Sequence, residues 1–91
     1  MVSIHKTAVI GSNVVIGNNV SIGPYVVIDD NVKIANDNII KSSVYITGNT
    51  DIGNANIFYP FCSIGSPPQD LKFKNEVTNL IIGSNNIFRE H

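Results

Sequence analysis

The sequence is poor in the residues that usually carry chemistry, and each scarcity closes a class of function. Cys62 is the single cysteine, so no internal disulfide can form, and we read it as a small core residue. The two histidines, His5 and His91, stand near opposite ends of the chain. That is a poor basis for a zinc site, which needs several ring nitrogens converging on one point. Charged residues make up 14% of the chain and the formal net charge is −1, which gives no case for nucleic acid or an anionic membrane as partner. No apolar run is long enough to span a bilayer, and no charged-then-apolar leader opens the sequence. The expectation is a cytoplasmic protein without membrane insertion.

What the sequence does have is regularity. Isoleucine occupies positions 4, 10, 16, 22, 28, 34, 40, 46 and 52, and four residues after each comes Ala8, Val14, Val20, Val26, Val32, Asn38, Val44, Thr50 or Asn56. Glycine often follows the isoleucine, as at Gly11, Gly17, Gly23 and Gly53. The unit is a hexad, I-G-x-x-V-x. A period of six matches a helix poorly, whereas the aliphatic pair falls two residues apart across each hexad boundary, which is strand spacing. Gly, Asn and Asp at the second to fourth positions tolerate left-handed backbone angles, so each hexad reads as a short strand followed by a corner.

Three hexads close one triangular coil, and the coils run 4–21, 22–39 and 40–57 with the isoleucines stacked inside. Successive coils rise by about 4.8 Å through parallel pairing. The expected fold is all-β, a parallel β-helix of about four to five coils, in which each repeat leans on its neighbours. It forms one domain over residues 1–91, its stacked interior replacing the globular core that so short a chain struggles to build.

Outward positions recur by face. One face presents Thr7, Val9, Tyr25, Val27, Ser43, Tyr45, Phe61 and Ser63 and is largely apolar. The next, with Asn13, Val15, Asn31, Lys33, Asn49 and Asp51, reads as a solvated wall, and the third, with Ser21, Ile39 and Ile57, is intermediate. No face carries the repeated threonine ladder of an ice-binding solenoid. An aromatic and β-branched stripe on a rigid wall reads as a subunit contact through Tyr25, Val27, Tyr45 and Phe61, most simply with threefold symmetry.

The count breaks in S-I-G-S-P-P-Q-D-L-K-F-K-N-E, residues 63–76. Continuing it would put Asp70 and Glu76 where isoleucines belong, and burying unpartnered carboxylates costs far more than one apolar contact returns. Pro67 and Pro68 remove two successive backbone donors. Residues 66–79 therefore read as a loop projecting from the wall, placed to line an intersubunit cleft. Gln69 can donate and accept, Asp70 can accept two hydroxyls, and Lys72 can meet an anionic group such as a phosphate. On the residues alone, a turn-tying Asp70 and a solvated Lys72 explain the loop equally well.

The hexad pattern resembles that of the hexapeptide-repeat acyltransferases. More specifically, P-Q-D-L-K-F at 68–73 is similar to the P-Q-D-L-K-Y loop of the UDP-N-acetylglucosamine acyltransferase family. I-H-K-T-A-V-I-G at 4–11, I-G-P-Y at 22–25, Y-P-F-C-S-I-G at 59–65 and I-G-S-N-N-I-F-R-E at 82–90 also resemble that family. The resemblance implies a left-handed coil, a handedness that periodicity does not supply. It implies a homotrimer moving a 3-hydroxyacyl chain from acyl carrier protein to the 3-hydroxyl of UDP-N-acetylglucosamine, the first step of lipid A synthesis, without metal or cofactor. Asp70 and Lys72, with Gln69, then contact the nucleotide sugar or its acylated product.

The family's general-base histidine belongs to a later coil than the matched segment. His5, in the opening motif, resembles a structural residue, and His91 aligns with no catalytic position. The expectation is the N-terminal part of an acyltransferase that is inactive alone. The alternatives are a non-catalytic structural or remnant β-helix and another hexapeptide-repeat acyltransferase. A solenoid cut at an open coil is expected to be poorly soluble or to associate end to end.

Overall fold

A computed structural model describes residues 1–64 and 80–89. Among these, strands two or three residues long build three walls. The first wall stacks Ser3–Ile4, Ser21–Ile22, Ile39–Ile40, Ile57–Phe58 and Ile87–Phe88. The second stacks Val9–Ile10, Val27–Ile28, Tyr45–Ile46 and Ser63–Ile64. The third stacks Val15–Ile16, Val32–Ile34, Thr50–Ile52 and Leu80–Ile82. Every pairing is parallel, and each isoleucine up to Ile64 lies beside the one three hexads away, as in Ile4 with Ile22, Ile10 with Ile28 and Ile16 with Ile34. The hexad period is thus one wall of a parallel β-helix.

The corners follow from one residue per hexad. Every fourth-position residue from Asn13 to Phe61, and Asn85 beyond, has a left-handed φ between 56° and 70°. From Asn31 onward its N–H reaches the carbonyl of the third-position residue one coil earlier: Asn31 donates to Ser12, Asp37 to Asn18 and Ser43 to Pro24, each at 2.9 Å. Asparagine recurs at this position because it enters the left-handed region at less cost than most side chains.

Inside, the isoleucine column is buried from Ile22 onward, with Phe58 standing where the next isoleucine would be and stacking on Phe88 at 4.8 Å between ring centroids. Ile4 is 45% exposed because the first coil is covered on one side only. Each fully buried isoleucine contributes about 1.5–3 kcal/mol. The fifth-position column holds Val20, Val26, Val32, Val44 and Cys62, all buried, and Cys62 Sγ donates to the Phe88 carbonyl at 3.1 Å.

That column also holds Asn38, Thr50 and Asn56, fully buried. Their polar atoms all find backbone partners. Asn38 Nδ2 donates to the carbonyls of Ala35 and Gly53 at 3.0 and 2.8 Å, while its Oδ1 accepts from the Asn56 N–H at 2.8 Å. Asn56 repeats the arrangement, donating to Gly83 O at 2.9 Å and accepting from the Asn86 N–H at 2.8 Å. Thr50 Oγ1 donates to Thr47 O at 2.9 Å. No buried side-chain polar atom among the described residues lacks a partner, which is the condition under which a polar core is tolerated.

After the break the count resumes in a different place. Ile82 lies three hexads past Ile64, a spacing that elsewhere returns to the same wall, yet Ile64 sits in the second wall and Ile82 pairs with Ile52 in the third. Phe88 then pairs with Phe58 in the first wall. The chain leaves the second wall at Ile64 and enters the third at Leu80. The loop expected at 66–79 lies outside the described residues.

Candidate functional site

The corner where that segment departs and returns is defined by Thr47, Gly48 and Asn49 of the preceding coil. Thr47 holds the departing end: its N–H and its Oγ1 both donate to the Ile64 carbonyl, at 3.1 and 3.3 Å. Asn49 holds the returning end, its carbonyl accepting from the Leu80 N–H at 2.9 Å. Gly48 packs against the coil before, where a Cβ would lie 2.6 Å from the Asp30 carbonyl oxygen. Sequence reading missed this clamp. Its one signal is threonine at a hexad position that glycine often fills.

Two aspartates occupy the same corner one coil earlier. Asp30 Oδ1 accepts from the Ser12 N–H at 2.7 Å and so ties the corner. Asp29 accepts from the Tyr45 hydroxyl, 2.6 Å from its Oδ2. That hydrogen bond, with partial burial and the neighbouring negative charge, raises the Tyr45 pKa above the ordinary tyrosine value. The pair carries a carboxylate to the border of the second wall.

The second wall itself is apolar and open, as the sequence implies. Val9 and Tyr45 are exposed, Val27 is half-buried, and Tyr25 and Phe61 at its corner are each 68% exposed. Tyr25 and Phe61 occupy left-handed positions, with φ of 59° and 70°. Pro24 and Pro60 precede them, so each pair has the proline-first pattern of a turn whose next residue is ordinarily glycine or asparagine. An aromatic residue there costs about 1–2 kcal/mol in backbone conformation while leaving most of its ring in water. The third wall shows Lys33 beside Asp51 in register, and the first carries Ser21, Ile39, Ile57 and Ile87.

His5 is engaged in the opposite corner. Its Nδ1 accepts from the Thr7 N–H at 3.1 Å and lies 2.9 Å from Thr7 Oγ1, which in turn accepts from the Tyr25 N–H at 2.9 Å. This is the structural role read from the sequence. Gln69, Asp70, Lys72 and His91 lie outside the described residues. Among those described, no group of three or more His, Cys, Asp or Glu is placed to hold a metal, and no helix is long and apolar enough to cross a membrane.

Three walls, left-handed corner residues and an isoleucine column define the class: this is a hexapeptide-repeat, left-handed parallel β-helix. Residues 1–30 match the family model described as bacterial transferase hexapeptide (six repeats). In sequence and fold the chain resembles the N-terminal third of the UDP-N-acetylglucosamine O-acyltransferases. It is 51% identical over 89 residues to the acyl-[acyl-carrier-protein]–UDP-N-acetylglucosamine O-acyltransferase of Rickettsia bellii strain OSU 85-389, covering 98% of this chain and 32% of that protein. With the same-named protein of Thermodesulfovibrio yellowstonii it shares 47% identity over 91 residues, covering 100% of this chain and 35% of the relative. Among solved structures, LpxA of Acinetobacter baumannii superposes with a TM-score of 0.91 at 45% identity, covering 97% of this chain and 34% of that one. LpxA of Bacteroides fragilis 9343, a UDP-N-acetylglucosamine acyltransferase, gives 0.89 at 45%, covering 96% and 34%. The chain spans about a third of the length of the curated relatives it matches.

Proposed function

We propose that this chain is the N-terminal β-helical segment of an acyltransferase acting in the first step of lipid A synthesis. The enzyme moves a 3-hydroxyacyl chain from acyl carrier protein to the 3-hydroxyl of UDP-N-acetylglucosamine. The observation that carries the reading is identity near 50% along almost the whole chain to proteins bearing that name. Asp70 and Lys72, with Gln69, bind the nucleotide sugar: a carboxylate takes sugar hydroxyls and an ammonium meets the diphosphate. The Thr47–Asn49 clamp sets the two ends of their segment.

General-base catalysis needs a group within hydrogen-bond reach of the reacting hydroxyl. His5 is committed to Thr7, so the base comes from further coils and the segment is inactive without them. The same commitment of His5 favours a second reading, a non-catalytic β-helix that keeps only the binding surface. Subunits associate as a homotrimer through Tyr25, Val27, Tyr45 and Phe61, whose exposure on a rigid wall supports burial in an assembly. The location is cytoplasmic.

Calorimetric titration of UDP-N-acetylglucosamine and its acylated product into the chain, with and without a polypeptide carrying the later coils of a relative, tests the reading. Binding that is lost in Asp70→Ala and Lys72→Ala, together with acyl transfer when the later coils are added, is expected. Binding without transfer moves the case to the second reading. Folded chain that binds neither compound in either format removes both.

A further inference from the structure

The second wall is bordered by charge of opposite sign on its two sides. Lys6, Lys41 and Arg89 stand at the corner that leads into it from the first wall, following Ile4, Ile40 and Phe88. Asp29 and Asp30 stand at the corner that leads out of it to the third wall, between Ile28 and Val32. Among the described residues the first corner holds no carboxylate and the second no lysine or arginine. The third wall is not sorted in this way, since Lys33 lies beside Asp51 in register.

The carboxylates are held in place by bonds that leave them able to accept more. Asp29 accepts from the Tyr45 hydroxyl at 2.6 Å and Asp30 from the Ser12 N–H at 2.7 Å, and a carboxylate with one such partner can also take an ammonium. Lys6 and Lys41 are exposed. Lys41 Nζ lies 5.2 Å from the centroid of the Tyr59 ring, a weak contact at an exposed site. Six residues at about 3.3 Å each make a wall about 18–20 Å wide. Within one chain that width keeps the aspartates of one border from the lysines of the other.

A rotation axis parallel to the β-helix brings them together. Three second walls turned inward enclose a triangle whose centre lies about 5–6 Å from each, half the ~10 Å at which sheets pack face to face. Val9, Val27 and Tyr45 then fill the middle. At each vertex the Asp29–Asp30 border of one wall meets the lysine border of the next. Closed rotation has no axial shift, so Asp29 and Asp30, in the second coil, fall between Lys6 in the first and Lys41 in the third. Each lysine is one coil away, about 4.8 Å, a step that its side chain spans. Two second walls packed antiparallel, the other closed arrangement, set like charge against like.

We propose that Asp29 and Asp30 of one copy pair with Lys6 and Lys41 of the next, and that this pairing sets the copies parallel around the axis. The proposal rests on the subunit contact through the second wall and adds to it what selects the direction of assembly. Charge at the border of an interface steers and orients its partner, while the apolar wall supplies the burial.

Zero-length carbodiimide cross-linking of the full chain, with sedimentation velocity, tests it. Peptides joining Lys6 or Lys41 to Asp29 or Asp30 are expected in the cross-linked oligomer and not in the single subunit. Assembly should weaken about tenfold or more in the Lys6→Gln, Lys41→Gln double variant and stay at wild-type strength in Lys33→Gln. Assembly that Phe61→Asn weakens and the double variant does not overturns the pairing and leaves the second-wall contact standing, as does an oligomer without those cross-links. A wild-type chain that sediments as a single subunit at every concentration removes both.

Discussion

Replacing Asn38 by valine separates two ways of reading the core. The fifth-position column holds valine at 20, 26, 32 and 44, so pattern alone makes Asn38→Val a consensus repair that stabilises by burying two more methyl groups, about 1 kcal/mol. The hydrogen bonds say the opposite. Valine leaves the Asn56 N–H without its acceptor, and it leaves the Ala35 and Gly53 carbonyls without the Asn38 donor. An orphaned buried N–H costs about 1–3 kcal/mol, and each under-satisfied carbonyl adds a smaller penalty because its second lone pair is less demanding. After the apolar gain is subtracted, the net loss is about 2–3 kcal/mol. Urea unfolding followed by far-UV circular dichroism, at matched protein concentration, reads this as a midpoint lowered by roughly 1–2 M at the slope usual for small domains. A variant that unfolds at the wild-type midpoint or above it would refute the claim that these asparagines hold the core through their backbone bonds.

Three further outcomes follow from the corners. Phe61→Asn relieves a left-handed aromatic residue and stabilises the single subunit by about 1 kcal/mol, yet it removes a ring whose burial is worth about 1–2 kcal/mol to each contact. Sedimentation should show weaker assembly by a more stable chain, and unchanged assembly would remove Phe61 from the contact. Asp29→Asn should return Tyr45 toward the ordinary tyrosine range in a phenol absorbance titration. Because the folded pKa of Tyr45 is raised, the stability it lends is full below about pH 10, the unfolded value, and fades as pH climbs through the folded one; identical titration curves for both proteins would discount the pair. Gly48→Ala places a methyl 2.6 Å from the Asp30 carbonyl oxygen and should cost about 1–3 kcal/mol. The Leu80 amide, held by Asn49 next door, should exchange faster with solvent, and wild-type protection at Leu80 would argue that the clamp does not depend on Gly48.

The walls and the column could be read from the sequence because a solenoid writes its contacts at a fixed separation, and one repeated isoleucine is enough to count by. The αL corners could be read as well, since asparagine marks them, but Tyr25 and Phe61 hide theirs: an aromatic residue signals exposure by its place in the hexad and says nothing of its backbone. Asn38 and Asn56 look like imperfections of the column. Their fitness depends on carbonyls and N–H groups of adjacent coils, which have no letter of their own. Gln69, Asp70 and Lys72, which lie outside the described residues, rest on a likeness alone, because residues beyond the repeat obey no period from which partners could be counted.

A break in the count is a different difficulty, because any number of hexads can be spent outside the wall before the pattern resumes. Spacing from Ile64 to Ile82 suggests a return to the same wall and is misleading. The register was nevertheless written on both sides of the break. Asn56-Ile57-Phe58 and Asn86-Ile87-Phe88 are the same three residues. A buried asparagine needs an N–H at one fixed place in the next coil, and a phenylalanine that displaces an isoleucine leaves room best filled by a second ring. Each residue of the triplet therefore selects its own copy as neighbour: Asn56 takes the Asn86 N–H, Ile57 pairs with Ile87 and Phe58 stacks on Phe88. Where a repeat is interrupted, the departures from its consensus locate the next coil better than the consensus does, since only the departures are particular about what lies beside them.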